Sequence, residues 1–266
     1  MSEPAPAPGA AAYAESGALV VGGSAGIGYA SARHLALAGV PRIVIVSRTR
    51  ATGEEARDRL RTESGAEVTW IAGDATLAAE AERIATSAER ILGGIDVLVC
   101  STVAEATPTL FADIPTGGIQ SIVDEMLLPP MQMVSAVLPL MRARGRGGAI
   151  VTVASDAGKT ATPGETIIGA CKAAIIMFTR TIAMEAKRDG IRANVLTPSL
   201  VAGTASTERI TTEGFSARLF ARAAQQAHLG VPDADDLGRL AAFLAGPGAA
   251  RLTGQAISVN GGISAA

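Results

Sequence analysis

The sequence predicts an α/β fold: a single-domain, Rossmann-like doubly wound parallel sheet of about seven strands with helices on both faces. Two observations predict it. From residue 18 onward, short apolar runs alternate with longer amphipathic or alanine-rich segments, as in repeated βα units. Apolar residues make up 48% of the 266 residues but aromatic residues only 3%, so the core must be built from Ala, Val, Ile and Leu.

The elements follow this alternation in order along the chain. Apolar runs predict strands at 18–21, 42–46, 67–71, 97–100, 149–153, 192–196 and 256–259, because parallel strands are buried on both faces. The intervening segments predict helices near 26–38, 52–64, 76–91, 118–143, 165–188 and 234–245. Residues 1–16 are rich in Ala and Pro and predict a flexible tail, with one domain over residues 17–266.

The segment 204–228 interrupts the alternation. It is helical in composition, contains Gly214 and follows the sixth strand. In a doubly wound sheet this position lies at the carboxyl ends of the strands, where ligands bind. Two interpretations stay open: a mobile lid over the substrate and an ordinary surface excursion.

Charge and cysteine content exclude several classes of partner. Lys and Arg number 23 against 25 Asp and Glu, and this balance leaves no excess charge to attract nucleic acid or an anionic membrane. Cys100 and Cys171 both lie in apolar stretches, which predicts buried thiols in a reducing compartment and therefore a cytoplasmic location. We expect a small-molecule substrate and no metal site.

A glycine-rich turn follows the first strand and opens a helix. It reads Val21-Gly22-Gly23-Ser24-Ala25-Gly26-Ile27-Gly28. Glycines there allow a tight turn, a close approach of backbone N–H groups to a pyrophosphate, and close packing of helix on sheet. The residues of this turn assigned to cofactor binding are Gly22, Ser24, Gly26, Ile27 and Gly28.

The residues after the second and third strands are expected to contact the adenosine half of the dinucleotide, and those after the second indicate which dinucleotide is bound. After the second strand, Ser47-Arg48 stands where an acidic residue would bind the ribose 2′-hydroxyl, whereas an Arg accepts a 2′-phosphate. This favours NADP(H) over NAD(H), although a solvated surface charge is the alternative role of Arg48. Asp74 follows the third strand and is expected at the adenine edge.

The chain resembles the short-chain dehydrogenase/reductase family from residue 17 to 262. The resemblance is carried by the Gly22-x-x-x-Gly26-x-Gly28 spacing, Asp74, Asp96, Ser155, Lys172 and Asn260-Gly261-Gly262. The segments Ser155-Asp156-Ala157-Gly158, Gly164-Glu165 and Ala170-Cys171-Lys172 look most like bacterial hydroxyacyl-CoA and alicyclic alcohol dehydrogenases.

The resemblance also shows where this chain departs from the family. It implies that Ser155 orients a carbonyl, that Lys172 holds the nicotinamide ribose, and that a Tyr four residues before the Lys donates a proton. That Tyr position is Ile168, and the only tyrosines are Tyr13 and Tyr29. Met126 stands where the family carries Asn.

Further residues near this site are assigned from the same resemblance. Val103 replaces a glycine and is expected to crowd the adenosine ribose. Thr204 resembles the threonine that contacts the carboxamide and phosphates, although it stands one residue late. Candidate replacement proton donors are Lys172, a water held by Ser155, Thr166 and Glu165.

Three functions stay open. The favoured one is an atypical NADP(H)-dependent oxidoreductase acting on a hydroxyacyl compound or a cyclic alcohol or ketone with a substitute proton donor. The others are a non-catalytic subunit of a hetero-oligomeric dehydrogenase and a non-redox lyase or cyclase. The resemblance implies a dimer or tetramer, or a hetero-oligomer with an active homologue, paired through helices 118–143 and 165–188.

Overall fold

The computed structural model describes residues 13–211 and 214–265 and shows one parallel seven-stranded sheet. Its strands lie in the order β3-β2-β1-β4-β5-β6-β7. The strands are β1 Gly17–Val21, β2 Arg42–Ser47, β3 Glu67–Ala72, β4 Val97–Cys100, β5 Gly148–Val153, β6 Ile191–Pro198 and β7 Ala256–Val259. Each predicted strand is confirmed to within two residues at either end.

Eight α-helices connect and flank the strands in the described part of the chain. They are α1 Gly26–Leu37, α2 Arg50–Ser64, α3 Ala78–Leu92, α4 Ile119–Arg144, α5 Thr166–Ala186, α6 Ala205–Thr211, α7 Gly214–Gln226 and α8 Ala234–Ala245. The six predicted helices are confirmed, and the predicted doubly wound fold is confirmed with them. The interrupting segment 204–228 forms α6 and α7, and its mobility stays a prediction.

Side chains of β1 alternate between two cores because successive residues of a strand point to opposite faces. Ala18 and Val20 join the buried apolar cluster under α1, α2 and α8. Leu19 and Val21 join the cluster under α3, α4 and α5. The sheet therefore forms the middle of three layers, and its loops at the carboxyl ends of the strands are free to build a site.

The N-terminal end of the described chain packs on the domain, and the flexibility of residues 1–16 stays a prediction. Tyr13–Glu15 form a short 3-10 turn, and the Tyr13 hydroxyl donates a hydrogen bond to the Ala242 carbonyl of α8 at 2.7 Å. Ser16 is buried. Residues 13–16 are thus packed on the domain, because the tyrosine ring is apolar and its hydroxyl can bind a helix end. Composition alone does not predict such a contact. Residues 1–12 lie outside the described residues.

Candidate active site

A cleft of about 490 Å³ opens at the carboxyl ends of the central strands. The strand order reverses between β1 and β4, and this is where a doubly wound sheet places its ligand site. The predicted site residues that line the cleft are Gly22, Ser24, Gly26, Ile27, Arg48, Asp74, Ser155, Ile168, Lys172 and Thr204. The fold therefore brings together residues that lie as far apart as 182 positions in the sequence, from 22 to 204.

The glycine-rich turn forms one end of this cleft. Gly22 and Gly26 have positive φ angles of 80° and 51°, which residues with a Cβ rarely adopt. Among the described residues, no side-chain hydrogen bond caps the N-terminus of α1 at Ala25, so the first N–H groups of this helix can bind an anion. The turn fits the pyrophosphate of a dinucleotide.

Gly28 acts behind this turn and does not itself line the cleft. A Cβ at Gly28 would lie 2.1 Å from the Gly22 carbonyl oxygen, so only glycine lets α1 pack this closely on the turn. Thr204 approaches from the other side, where its Cγ2 lies 3.6 Å from a Cβ built at Gly26. The Thr204 hydroxyl is held by the Val201 carbonyl and accepts a hydrogen bond from the Thr207 N–H.

The end of β2 presents a cation to the cleft. Arg48 is exposed, and the described residues offer its guanidinium no hydrogen bond or ion pair. Ser47 accepts a hydrogen bond from Trp70 Nε1 at 2.9 Å, so its hydroxyl is already engaged. Asp74 Oδ1 accepts hydrogen bonds from the Thr76 N–H and hydroxyl, which fixes the orientation of this carboxylate at the cleft wall.

The opposite part of the cleft carries the polar groups of the predicted chemistry. Ser155 follows β5 in extended conformation, and its Oγ accepts a hydrogen bond from the Ala157 N–H at 3.2 Å. Lys172 projects from α5, and no side chain in the described residues pairs with its ammonium group at hydrogen-bond or ion-pair distance. Burial lowers the pKa of Lys172, whereas Glu165 and Cys171 oppose that shift. A hydroxyl and an amine thus face one cavity.

No phenol reaches this cleft. Ile168 lines it, and its side chain joins an apolar cluster with Met126. Tyr13 binds α8, and Tyr29 packs against the core under α1, with Arg59 over its ring at 4.7 Å. Burial raises the pKa of Tyr29 to about 12, which would make it a poor acid even at a suitable distance.

Two further expectations concern residues beside the site. Val103 lines the cleft with 58% of its surface exposed, and its effect on the adenosine ribose stays a prediction. Cys171 is buried, and burial raises its pKa, so it packs as expected in the core and is not an activated thiol. Among the described residues no group of three or more His, Cys, Asp or Glu could hold a metal ion.

Sequence reasoning missed part of the outer cleft and underused one residue. Arg209 of α6 lines the cleft and donates to the Ala104 carbonyl at 3.1 Å, but α6 carried no recognisable motif. Glu165 also lines the cleft, whereas its neighbour Thr166 is exposed and does not. Spacing could have separated the two, since position 165 precedes Lys172 by two helical turns and position 166 does not share that face.

One described segment, Thr166–Asp189, is long and apolar enough by composition to cross a bilayer. It contains α5, whose residues Ile175, Thr179 and Ala183 are buried against the sheet and its neighbours. A core helix of a folded domain meets the same criterion. The prediction of no membrane partner remains a prediction.

Comparisons with known proteins agree with this geometry. A family model described as Enoyl-(Acyl carrier protein) reductase matches residues 21–264. The chain is 30% identical over 245 residues to human Dehydrogenase/reductase SDR family member 4, covering 92% of this chain and 86% of the relative. It is 30% identical over 249 residues to 7alpha-hydroxysteroid dehydrogenase of Bacteroides fragilis, covering 92% and 93%. A short-chain type dehydrogenase/reductase from Mycobacterium ulcerans shares the fold, with a TM-score of 0.85 at 24% identity and coverage of 93% and 89%.

Proposed function

Because the chain belongs to the short-chain dehydrogenase/reductase family, we propose that it is an NADP(H)-dependent oxidoreductase with a substitute proton donor. The substrate class is a hydroxyacyl compound or a cyclic alcohol and its ketone. The observation that carries this proposal is that Lys172, Ser155 and the glycine-rich turn share one cleft. The family uses a nicotinamide dinucleotide, and the glycine-rich turn and Lys172 in one cleft support the binding of one here.

The division of labour follows from position in the cleft. The bound dinucleotide supplies or accepts the hydride. The turn at Gly22 and Gly26 would hold its pyrophosphate, and Lys172 would hold the nicotinamide ribose. Ser155 would donate a hydrogen bond to the substrate oxygen and so stabilise the negative charge that develops there. Ile168 and Met126 would form an apolar wall at this end of the cleft.

The substrate class rests on the lining and on the relatives. The lining of the cleft includes apolar side chains, among them Met126, Ile168 and Phe220, beside the polar Ser155 and Lys172. Such a pocket suits a ring or an acyl chain that carries one oxygen. One relative is named for a hydroxysteroid, and the matching family model is named for an acyl carrier protein reductase.

The preference for NADP(H) rests on Arg48. An exposed guanidinium at the end of β2, which no described residue pairs with, can bind a 2′-phosphate through charge-assisted hydrogen bonds. We expect Arg48→Ala to weaken NADPH binding roughly 10- to 100-fold and to leave NADH binding nearly unchanged, as measured by calorimetry. Arg50→Ala is the matched control, because Arg50 already pairs with Glu54 at 2.9 Å. Equal loss for both dinucleotides would contradict the preference.

Turnover tests the activity itself. Purified wild type is incubated with NADPH and a panel of 3-oxoacyl thioesters and cyclic ketones, and the product alcohol is identified together with the loss of nicotinamide absorbance. Matched formation of alcohol and oxidised dinucleotide supports the proposal. Product without net dinucleotide oxidation would support a non-redox enzyme instead.

A non-catalytic subunit is the second candidate, and Ile168 is the observation that favours it. A hydrocarbon fills the position of the proton donor and packs with Met126. This candidate predicts nucleotide binding without turnover, and activity that returns only when a homologous chain is added. Turnover by the isolated chain would remove it.

A further inference from the structure

Three residues of α5 and its N-cap face the reacting end of the cleft. Glu165 is the N-cap residue, and Ile168 and Lys172 follow it by three and seven residues. At 3.6 residues per turn these positions share one helix face, and all three line the cleft with Ser155. An acidic group and a basic group therefore flank the apolar side chain that replaces the phenol.

The backbone before Glu165 is fixed from two sides. Gly164 has a φ of +83°, and the ring of Phe215 occupies the place where a Cβ would project, 2.5 Å from that position. The Gly164 carbonyl accepts a hydrogen bond from the Thr109 N–H at 2.7 Å. Only glycine fits here, and this contact sets where the next residue enters the cleft.

The electrostatic surroundings favour a protonated carboxyl on Glu165 more than water does. Burial raises the pKa of Glu165 to about 6, and Asp156 contributes in the same direction, while Thr162 and Lys172 oppose it. The pKa of Lys172 is lowered, again by burial. A carboxyl that titrates close to neutrality can both give and take a proton at working pH.

Other titratable groups near Glu165 are less suited to this role. Asp156 is buried and accepts hydrogen bonds from Asn260 and Ser264 on its far side. Cys171 is buried in the apolar cluster. Across the cleft, Glu105 and Glu125 are tied together through the Glu105 N–H, and Arg209 binds the Ala104 carbonyl. Glu165 is left as the carboxyl beside the vacant position.

We propose that Glu165 exchanges the proton with the substrate oxygen in place of the missing tyrosine. This inference rests on the proposed function. In reduction, the carbonyl carbon accepts a hydride from the reduced dinucleotide, the C=O π pair moves to the oxygen, and Glu165 donates its proton to that oxygen. The carboxylate then regains a proton from water. In oxidation, the Glu165 carboxylate takes the hydroxyl proton as the hydride leaves the carbinol carbon.

The two directions then depend oppositely on pH. Reduction needs the protonated carboxyl, so its kcat/KM falls as the pH rises through about 6. Oxidation needs the carboxylate, so its kcat/KM rises through the same pH. A water or lysine donor would not place both inflections at the titration of one carboxyl.

The test is Glu165→Gln, compared with wild type and with the matched control Glu82→Gln on the exposed face of α3. We expect E165Q to lower kcat/KM by roughly 10²- to 10⁴-fold, to lose the inflection and to keep its NADPH affinity. Side-chain ¹³C NMR of the protein without nucleotide gives a readout apart from activity. One glutamate carboxyl is expected to titrate near pH 6 and to be absent from the E165Q spectrum.

The outcomes separate this inference from the proposed function. Wild-type turnover that E165Q leaves unchanged, or a Glu165 carboxyl whose pKa lies near the ordinary value of 4.5, overturns the inference alone. A wild type that binds NADPH but converts no substrate in either direction overturns the proposed function, and this inference with it.

Discussion

Ile168 and Met126 belong to one apolar cluster, although they stand on different helices. Ile168 comes from α5 and Met126 from α4, and Ile168 packs against the buried cluster that contains Met126. Apolar side chains at both positions require no hydrogen-bond partner there. This end of the site is therefore apolar and packed.

Restoring the hydroxyl at position 168 gives the first prediction. We expect Ile168→Tyr to raise kcat for carbonyl reduction about 10- to 100-fold, because a positioned phenol beside Lys172 supplies a further general acid. Ile168→Phe is the matched control, since it adds the ring without the hydroxyl. Initial rates of NADPH oxidation measure both variants. Equal rates for Phe and Tyr would show that ring volume and not proton transfer is responsible.

The second prediction concerns Gly28. Gly28→Ala forces a Cβ to within 2.1 Å of the Gly22 carbonyl, so α1 must shift away from the turn. We expect a loss of stability of about 1–3 kcal/mol and weaker NADPH binding, measured by denaturant unfolding and calorimetry. Gly117→Ala is the control, because a Cβ there meets nothing within 4 Å. An unchanged G28A would mean that the turn is not tightly packed.

The third prediction concerns the ion pair between Asp96, which directly precedes β4, and Arg144 at the end of α4. Asp96 is 4% exposed, binds Arg144 Nη1 at 3.1 Å and accepts the Gly17 N–H at 2.9 Å. Arg144→Met leaves this carboxylate without its cation, and we expect the free energy of unfolding to fall by about 3–5 kcal/mol. Arg146→Met, which breaks the exposed pair with Glu15, is expected to cost at most about 1 kcal/mol. Similar losses for both variants would contradict this account.

The fourth prediction is the effect of Glu165 on stability as the pH changes. The pKa of Glu165 rises on folding from 4.5 to about 6, so the folded chain binds the proton more tightly than the unfolded chain does. This carboxyl therefore costs stability as the pH rises through that interval, and the full cost remains above it. We expect the free energy of unfolding of E165Q to exceed that of wild type by about 1 kcal/mol at neutral pH and to match it at low pH, as measured by urea unfolding. A pH-independent difference would contradict the raised pKa.

Local pattern predicts most of this fold. The strands are continuous apolar runs, and the helices have a typical length and composition. The burial of residues such as Val20 and Leu35 therefore follows from the local pattern. The ordered turn at Tyr13 could not be predicted, because its hydrogen bond to Ala242 joins residues 229 positions apart. The composition of segment 204–228 predicts helix, but it does not predict the hydrogen bond from Arg209 to the Ala104 carbonyl.

The candidate site divides in the same way. Several site residues can be predicted from the sequence, because each stands at a fixed distance along the chain from the end of a strand or helix. They are the spaced glycines, Arg48, Ser155 and Lys172. The balance of charges around Glu165 was not readable, because Asp156 and the burial that raise its pKa come from packing. The sequence pattern therefore predicts the residues of the cleft, whereas the proposal for Glu165 depends on its tertiary surroundings.

The hydrogen bond from Trp70 to Ser47 has a practical consequence for experiments on this molecule. Trp70 is the single tryptophan of the chain, and Ser47 lies in the wall beside Arg48. The intrinsic fluorescence of the protein therefore comes mainly from Trp70, which lies next to the segment expected to contact the adenosine half of the ligand. The unmodified chain carries its own optical reporter, and occupancy can be followed without any dye or engineered label.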